Sequence, residues 1–367
     1  MRVVARTTGQ TAALRPAEVS GYRKVLAARL AAQLLAGEPA RDPVAVAERL
    51  LSIQGQDARG ARLAVRARTT GQTAADVDRA LTDDRSLLIT WLNRGTLHLA
   101  GSEDYWWLHK LTARPQYQEG CRRILARLGI EANVADEGAR VAEKALLADG
   151  PLTSAQVAER LATAGLAASG GAGLHTLMLA SLQGNVVRGP MIGGQHAYVH
   201  VRDWLGDPSP LPDPEVALGW LAQRYLAGHG PASDRDLSKW AGITLGEARR
   251  GFSEISASLR DRADGLAQLA RGPQPDPELP GARLLGPFDP VLLGWASREP
   301  VLGDHEGIVT VNGLFRPFIL VAGRAAGTWT WTGGQVKLDL SGTLPAEATA
   351  ELAAEAADIR RFLAGAA

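Results

Sequence analysis

Ser52-Ile53-Gln54-Gly55-Gln56-Asp57 stands where a helical run gives way to extended chain. Upstream, residues 43–53 read as a helix with Pro43 in its first turn, where a missing N–H costs nothing. Before that, residues 19–35 carry Val25, Ala28, Leu30, Leu34 and Leu35 at helical spacing and stop at Gly37. Downstream, the alternation of Leu63 and Val65 after Gly60 predicts a strand. Helix, helix, strand is how a winged helix begins.

Working outward, residues 75–83 suit a short helix, and 87–91 and 96–99 suit two strands around an Asn93-Arg94-Gly95 hairpin turn. Residues 103–128 read as a helix with Tyr105, Trp106 and Trp107 in the core. The same grammar recurs: helix 138–149, a Gly150-Pro151 turn, a helix from Thr153, residues 174–183, then strands around Gly193-Gly194. A third round has helix 214–227, turn Gly230-Pro231, a Ser233-capped helix to Trp240, and residues 244–259. After a Pro-rich, acidic stretch at 271–280 the texture turns to strands at 309–311, 318–321, 328–331 and 336–340, with Asn312-Gly313 and Gly333-Gly334 as turns. A helix follows Pro345.

The expected class is therefore α+β: an N-terminal appendage at 1–18, winged-helix units at 19–130, 131–205 and 206–270, a β-rich barrel-like region at 271–344, and a closing helix at 345–367. Residues 5–13 spell ARTTGQTAA and residues 67–75 repeat it; the second copy reads as a strand running into a capped helix. A chain of 367 residues is long enough for two or three cores.

Net charge is only +1, yet residues 20–70 hold nine Lys/Arg against four acids, an excess able to attract a polyanion locally. Thirty-five of the 40 basic residues are Arg, a bias typical of GC-rich genomes. The lone Cys121 excludes an internal disulfide and a cysteine-based zinc site. With no signal peptide and no apolar run near 18 residues, a cytoplasmic chain without membrane partners is expected. No interface-sized apolar stripe stands out, so a monomer is expected.

In extended chain Gln54 and Gln56, at i and i+2, face the same way, so two carboxamides meet in one small volume. Such groups do not take a proton at neutral pH. Their carbonyl oxygens can hold a water, and their dipoles can favour a developing cation. Alternatively, both glutamines satisfy backbone at a helix end. Asp57 is equally a helix cap or an ion-pair partner of Arg59 or Arg62. Arg94-Gly95-Thr96-Leu97-His98 is the other dense polar cluster, with His98 either structural or supporting.

His196 and His200 are four apart but in an expected strand, so no metal is expected; there is no phosphate-binding or dinucleotide fingerprint, so no cofactor is either. No nucleophile elbow or Schiff-base lysine accompanies Gln54. Residues 174–183 contain no Arg or Lys and so are expected to be buried instead of reading a groove, whereas Arg249 and Arg250 suit phosphate contact or plain solvation.

Together Gln54-Gly55-Gln56-Asp57, Arg94-Gly95-Thr96-Leu97-His98-Leu99, Tyr225 with Gly230-Pro231 and Trp240, Leu284-Leu285-Gly286-Pro287-Phe288-Asp289-Pro290, Arg316-Pro317 and Gly327-Thr328-Trp329 resemble the AlkZ and YcaQ family of winged-helix DNA glycosylases. The likeness runs from about residue 19 to 331. It implies tandem winged helices and a barrel-like element in a C-shaped, DNA-cradling scaffold. It also implies monofunctional hydrolysis of the N-glycosidic bond of N7-alkylguanine, with double-stranded DNA carrying that base as partner. The Gln-x-Gln form resembles the AlkZ-like branch, whose members look like self-resistance enzymes against bulky DNA-alkylating antibiotics, some acting on interstrand crosslinks. The middle position is typically hydrophobic in the family; here it is Gly55.

On this reading Gln54 and Gln56 position water, Asp57 and His98 support them, and Arg59, Arg62, Arg94, Arg249 and Arg250 hold DNA. The repeated helix-turn-helix pattern alone would also suit a non-enzymatic winged-helix regulator, and a protein that sequesters a drug or its adduct is a third reading.

Overall fold

Asp42, in extended conformation, accepts a hydrogen bond from Ala45 N (2.7 Å) and starts a helix whose first residue is Pro43; Leu51, at φ 62°, ends it one turn earlier than its apolar pattern suggests. This computed structural model describes residues 16–208, 210–270 and 278–364. The first repeat copy, part of the 271–280 stretch and the last three residues lie outside them.

The N-terminal half runs α1 (Pro16–Ala32), α2 (Pro43–Leu50), β1 (Ile53–Gln54), α3 (Ala58–Arg66), α4 (Ala74–Thr82), β2 (Leu87–Leu92), β3 (Thr96–Gly101), α5 (Tyr105–Thr112) and α6 (Pro115–Arg127). It continues through α7 (Ala132–Asp149), α8 (Ser154–Thr163), α9 (Ala172–Leu182), β4 (Val186–Ile192), β5 (Gln195–His200) and α10 (Val201–Leu205). Then come α11 (Pro214–His229), α12 (Asp234–Ala241), α13 (Leu245–Glu254), β6 (Arg283–Leu285), α14 (Glu299–Leu302), β7 (Phe318–Val321), β8 (Arg324–Thr332), β9 (Gln335–Leu340) and α15 (Ala346–Ala364). Four helices start with reciprocal caps, Thr73 with Asp76, Thr153 with Gln156, Ser233 with Asp236 and Thr244 with Glu247.

Four expectations are corrected, one of them the strand at 309–311, where Val309 makes a single bridge to Phe315. The predicted strand at Leu63 and Val65 is the helix α3: Asp57 caps it, accepting from Gly60 N at 2.6 Å, and residues 60–66 are buried on every face, so alternation could not distinguish helix from strand. The repeat copy at 67–75 accordingly leaves a helix, not a strand. Residues 103–128 form two helices because Pro115 breaks the run, with Tyr105 and Trp107 buried as expected. The barrel-like element is an open antiparallel sheet in the order β6-β7-β8-β9. Four strands are too few to close, and β6 pairs only with β7; α15 packs on the sheet through Leu352 and Ile359 against Leu284, Ile319 and Trp329.

The other sheet is antiparallel in the order β1-β3-β2-β4-β5 and joins the first hairpin to the second through Ile89 beside Arg188. Apolar residues from α2, α3, α4, β2 and β3 meet those of α6 to α9 in one core that includes Leu50, Ile53, Leu81, Leu99, Leu125, Leu146, Leu177 and Tyr198. As its lack of Arg and Lys predicts, α9 is buried along most of its length. Tyr225, Trp240 and Trp295 belong to a second core with Leu51 and Leu92, placing α11 and α12 behind the β2-β3 hairpin.

Candidate active site

Only two residues of β1 pair with β3: Ile53 lies opposite Leu99 and Gln54 opposite His98, and Gly55 N extends the pairing by donating to Leu97 O at 2.7 Å. Because directly opposed residues share a face, Gln54, His98 and Thr90 (His98's partner on β2) form one polar row across three strands. The backbone leaves the sheet after Gly55, and Asp57 begins α3. A Cβ at Gly55 would sit 3.4 Å from Leu99 N, ordinary contact, so the backbone there does not itself require glycine.

The two glutamines meet. Gln54 Nε2 donates to Gln56 Oε1, while Arg94 Nη2 donates to Gln54 Oε1 at 3.2 Å and Arg94 Nη1 to the carbonyl of Trp240. Gln54 is 7% exposed, whereas Gln56 faces solvent. The result is a chain of hydrogen bonds running from a half-buried guanidinium through a buried amide to an exposed one, each bond polarising the next. Burial lowers the Arg94 pKa from its ordinary value, and no carboxylate among the described residues neutralises it.

Arg94 is held in place by the turn. It sits in the left-handed region at φ 59° between Asn93 and Gly95. On the other side Gly242, at φ 71°, approaches so closely that a Cβ there would lie 2.4 Å from Tyr117 Oη and 2.9 Å from Arg94 N.

His98 is 3% exposed with Nδ1 2.8 Å from Thr96 O, so Nδ1 carries the hydrogen and Nε2 presents a lone pair. Burial, with the Arg94 charge adding to it, pushes its pKa down to about 3. The ring is neutral at physiological pH. Asp57 Oδ1 is committed to the α3 cap.

The basic residues divide. Arg59 is exposed and has no partner among the described residues. Arg62 turns inward, bonding Asp78 through Nε (2.9 Å) and Nη2 and lying 3.4 Å from His196 Nε2. Arg249 pairs with Asp234 at 2.8 Å and Arg250 with Glu215 at 3.0 Å, both on the exposed surface of α13. The positive excess of residues 20–70 is also largely matched from afar: Arg29 pairs with Asp236, Arg66 with Glu355 and Asp358, and Arg68 with Asp289. Sequence reasoning missed Thr90, whose hydroxyl is buried without a partner beside His98, and the Trp240 carbonyl that anchors Arg94. A single hydroxyl in the apolar run Leu87-Leu-Ile-Thr-Trp-Leu92 was the available signal.

The family model for AlkZ-like DNA glycosylases matches residues 47–362, a span that holds every residue of this site. The chain belongs to the AlkZ-like DNA glycosylase family. An interstrand DNA cross-link repair glycosylase of Streptomyces sahachiroi is 25% identical over 334 residues, covering 84% of this chain and 88% of that protein. The solved structure of the Streptomyces sahachiroi DNA glycosylase AlkZ superposes with a TM-score of 0.74 at 24% identity, over 93% of this chain and 97% of that one. The likeness of the two structures concerns the fold.

Among the described residues no helix is long and apolar enough to cross a membrane.

Proposed function

We propose that this AlkZ-like chain hydrolyses the N-glycosidic bond of bulky N7-alkylguanine in double-stranded DNA, as a monofunctional glycosylase that needs no cofactor. What carries the reading is the contact between Gln54 and Gln56, polarised by Arg94, within a chain of this family. Alkylation at N7 makes guanine cationic, so it departs as a neutral base and leaves an oxocarbenium-like sugar. The protein then has to stabilise that cation and deliver water to it. It does not need a strong general acid.

Gln56 Oε1 spends one lone pair on Gln54 and keeps the other for water. The amide dipole and the Asp57 carboxylate favour positive charge on the sugar. His98, neutral, orients the water, and the proton that the water loses on bonding to the sugar passes to solvent by way of Asp57 Oδ2, which the cap leaves unused. Arg94 acts from inside as a positioning group and Arg62 is spent on Asp78, while Arg59, together with Arg249 and Arg250 on α13, meets phosphate.

The finer picture belongs to the same proposal: winged-helix units at 19–130, 131–205 and 206–270 shape a C-shaped cradle, the chain works as a cytoplasmic monomer, and its role is self-resistance to a DNA-alkylating antibiotic. The function named for the Streptomyces sahachiroi relative supports extending the substrate to interstrand crosslinks.

The test is incubation with duplex DNA carrying a bulky N7-alkylguanine, followed by alkali to cleave abasic sites. Strand breaks at the modified guanine are expected. Tight binding without breaks would favour a regulator or an adduct-sequestering protein.

A further inference from the structure

Residues 308–316 close into a short hairpin that none of the chemistry above uses. Arg316 N donates to Ile308 O (2.8 Å), Val309 bridges to Phe315, Thr310 N donates to Leu314 O (2.8 Å), and Gly313 N to Thr310 O (2.9 Å). The base is anchored, with Ile308 and Phe315 buried, the Phe315 ring 5.1 Å from that of Phe288, and the Arg298 guanidinium over Phe315.

The tip is the opposite. Val311 is 103% exposed and Leu314 59%, with Asn312 and Gly313 also in solvent. A hairpin this well tied that holds two aliphatic side chains in water has an unmet partner. Its position says which. A groove of about 390 Å³ lies between Leu314 and Arg316 on one side and Asp57 and Arg59 on the other, beginning one residue past Gln56. Arg59 and Arg316 are both exposed and have no partner among the described residues. An apolar point flanked by two free guanidinium groups matches a base stack flanked by phosphates.

We propose that the 311–314 tip is a wedge: Val311 and Leu314 enter the duplex at the step beside the modified nucleotide and unstack it, while Arg59 and Arg316 hold the phosphates on either side. The wedge rests on the glycosylase reading.

The experiment uses the full chain and the double variant Val311→Ser, Leu314→Ser. Since neither side chain is buried, the thermal midpoint should be that of the wild type. Base release from N7-alkylguanine is timed in a duplex and in the same strand alone, under single-turnover conditions. A loss of about tenfold or more is expected on the duplex, with single-strand release within about twofold of wild type, because a lone strand has no stack to open. In parallel, 2-aminopurine next to the lesion should brighten when wild type binds and stay quenched with the variant. An unchanged duplex rate, equal losses on both substrates, or equal brightening with both proteins overturns the wedge. If wild type releases base from neither substrate, the glycosylase reading fails, and the 2-aminopurine signal still decides the wedge.

Discussion

Gln54 and Gln56 differ in burial, and the difference separates their roles. Gln56 is exposed, so in Gln56→Ala water can take its place as acceptor for Gln54 Nε2; the thermal midpoint should fall less than in Gln54→Ala, while base release slows about 100-fold, the scale of losing one transition-state donor or acceptor. Gln54→Ala should slow release similarly and also cost about 1–3 kcal/mol in denaturant unfolding, because the half-buried Arg94 loses its side-chain acceptor. Equal stability losses in both variants would contradict this division. Protonation follows a second asymmetry. His98, His196 and His229 are all driven to about 3, first by burial. Below an ordinary histidine value of about 6.5 the unfolded chain binds protons that the folded chain refuses, so stability should fall as pH drops from there toward 3 and be insensitive to these groups above it. Denaturant midpoints across that range check the sign. His98 should likewise contribute no break near pH 6.5 to the base-release rate.

At the scale of elements, Asp57 caps α3, and in the proposed reaction it also places a negative charge beside the sugar. Asp57→Asn keeps a good cap and removes the charge, so stability should hold while base release slows; Asp57→Ala should additionally cost about 1 kcal/mol. Thermal unfolding alongside single-turnover release distinguishes them. The cap is also where sequence reading divided. The side-chain pairing of Gln54 and Gln56 was legible from their i, i+2 spacing, and the β2-β3 hairpin from Asn93-Arg94-Gly95. Helix α3 was not, since burial on all sides erases periodicity, and its real signature was Asp57 with Gly60. Gly60 is needed because a Cβ there would lie 2.5 Å from Pro287 O, a contact between residues more than two hundred positions apart. The region 309–311 was misread for a related reason: Val309 makes one bridge, and Val311 is solvent-exposed in spite of its β-branched chain.

Across the whole molecule, Arg68 and Asp289 fasten the helical part to the C-terminal region. Both side chains are fully buried, Asp289 receives two bonds from the guanidinium at 3.0 and 2.8 Å, and Arg68 also reaches Gln33 and Ala64. Removing one partner strands a buried charge, so Asp289→Ala should cost about 3–5 kcal/mol, read as a shift in denaturant midpoint. Such a pair is invisible in one sequence, where the local surplus of arginine reads as a surface for polyanions; several of those arginines are spent on distant carboxylates, and the charge offered to solvent beside the glutamines is that of Arg59 and Arg316. The same holds for the open C-terminal sheet: β7, β8 and β9 were legible one by one, while β6 and the failure to close were not.

The central claim, that two neutral amides bring water to a sugar whose base is already primed to leave, is tested most directly by the double variant Gln54→Ala, Gln56→Ala on N7-alkylguanine duplex under single-turnover conditions. Duplex affinity should match wild type while abasic-site formation falls by at least about 100- to 1,000-fold. Wild-type base release from that variant would contradict the account.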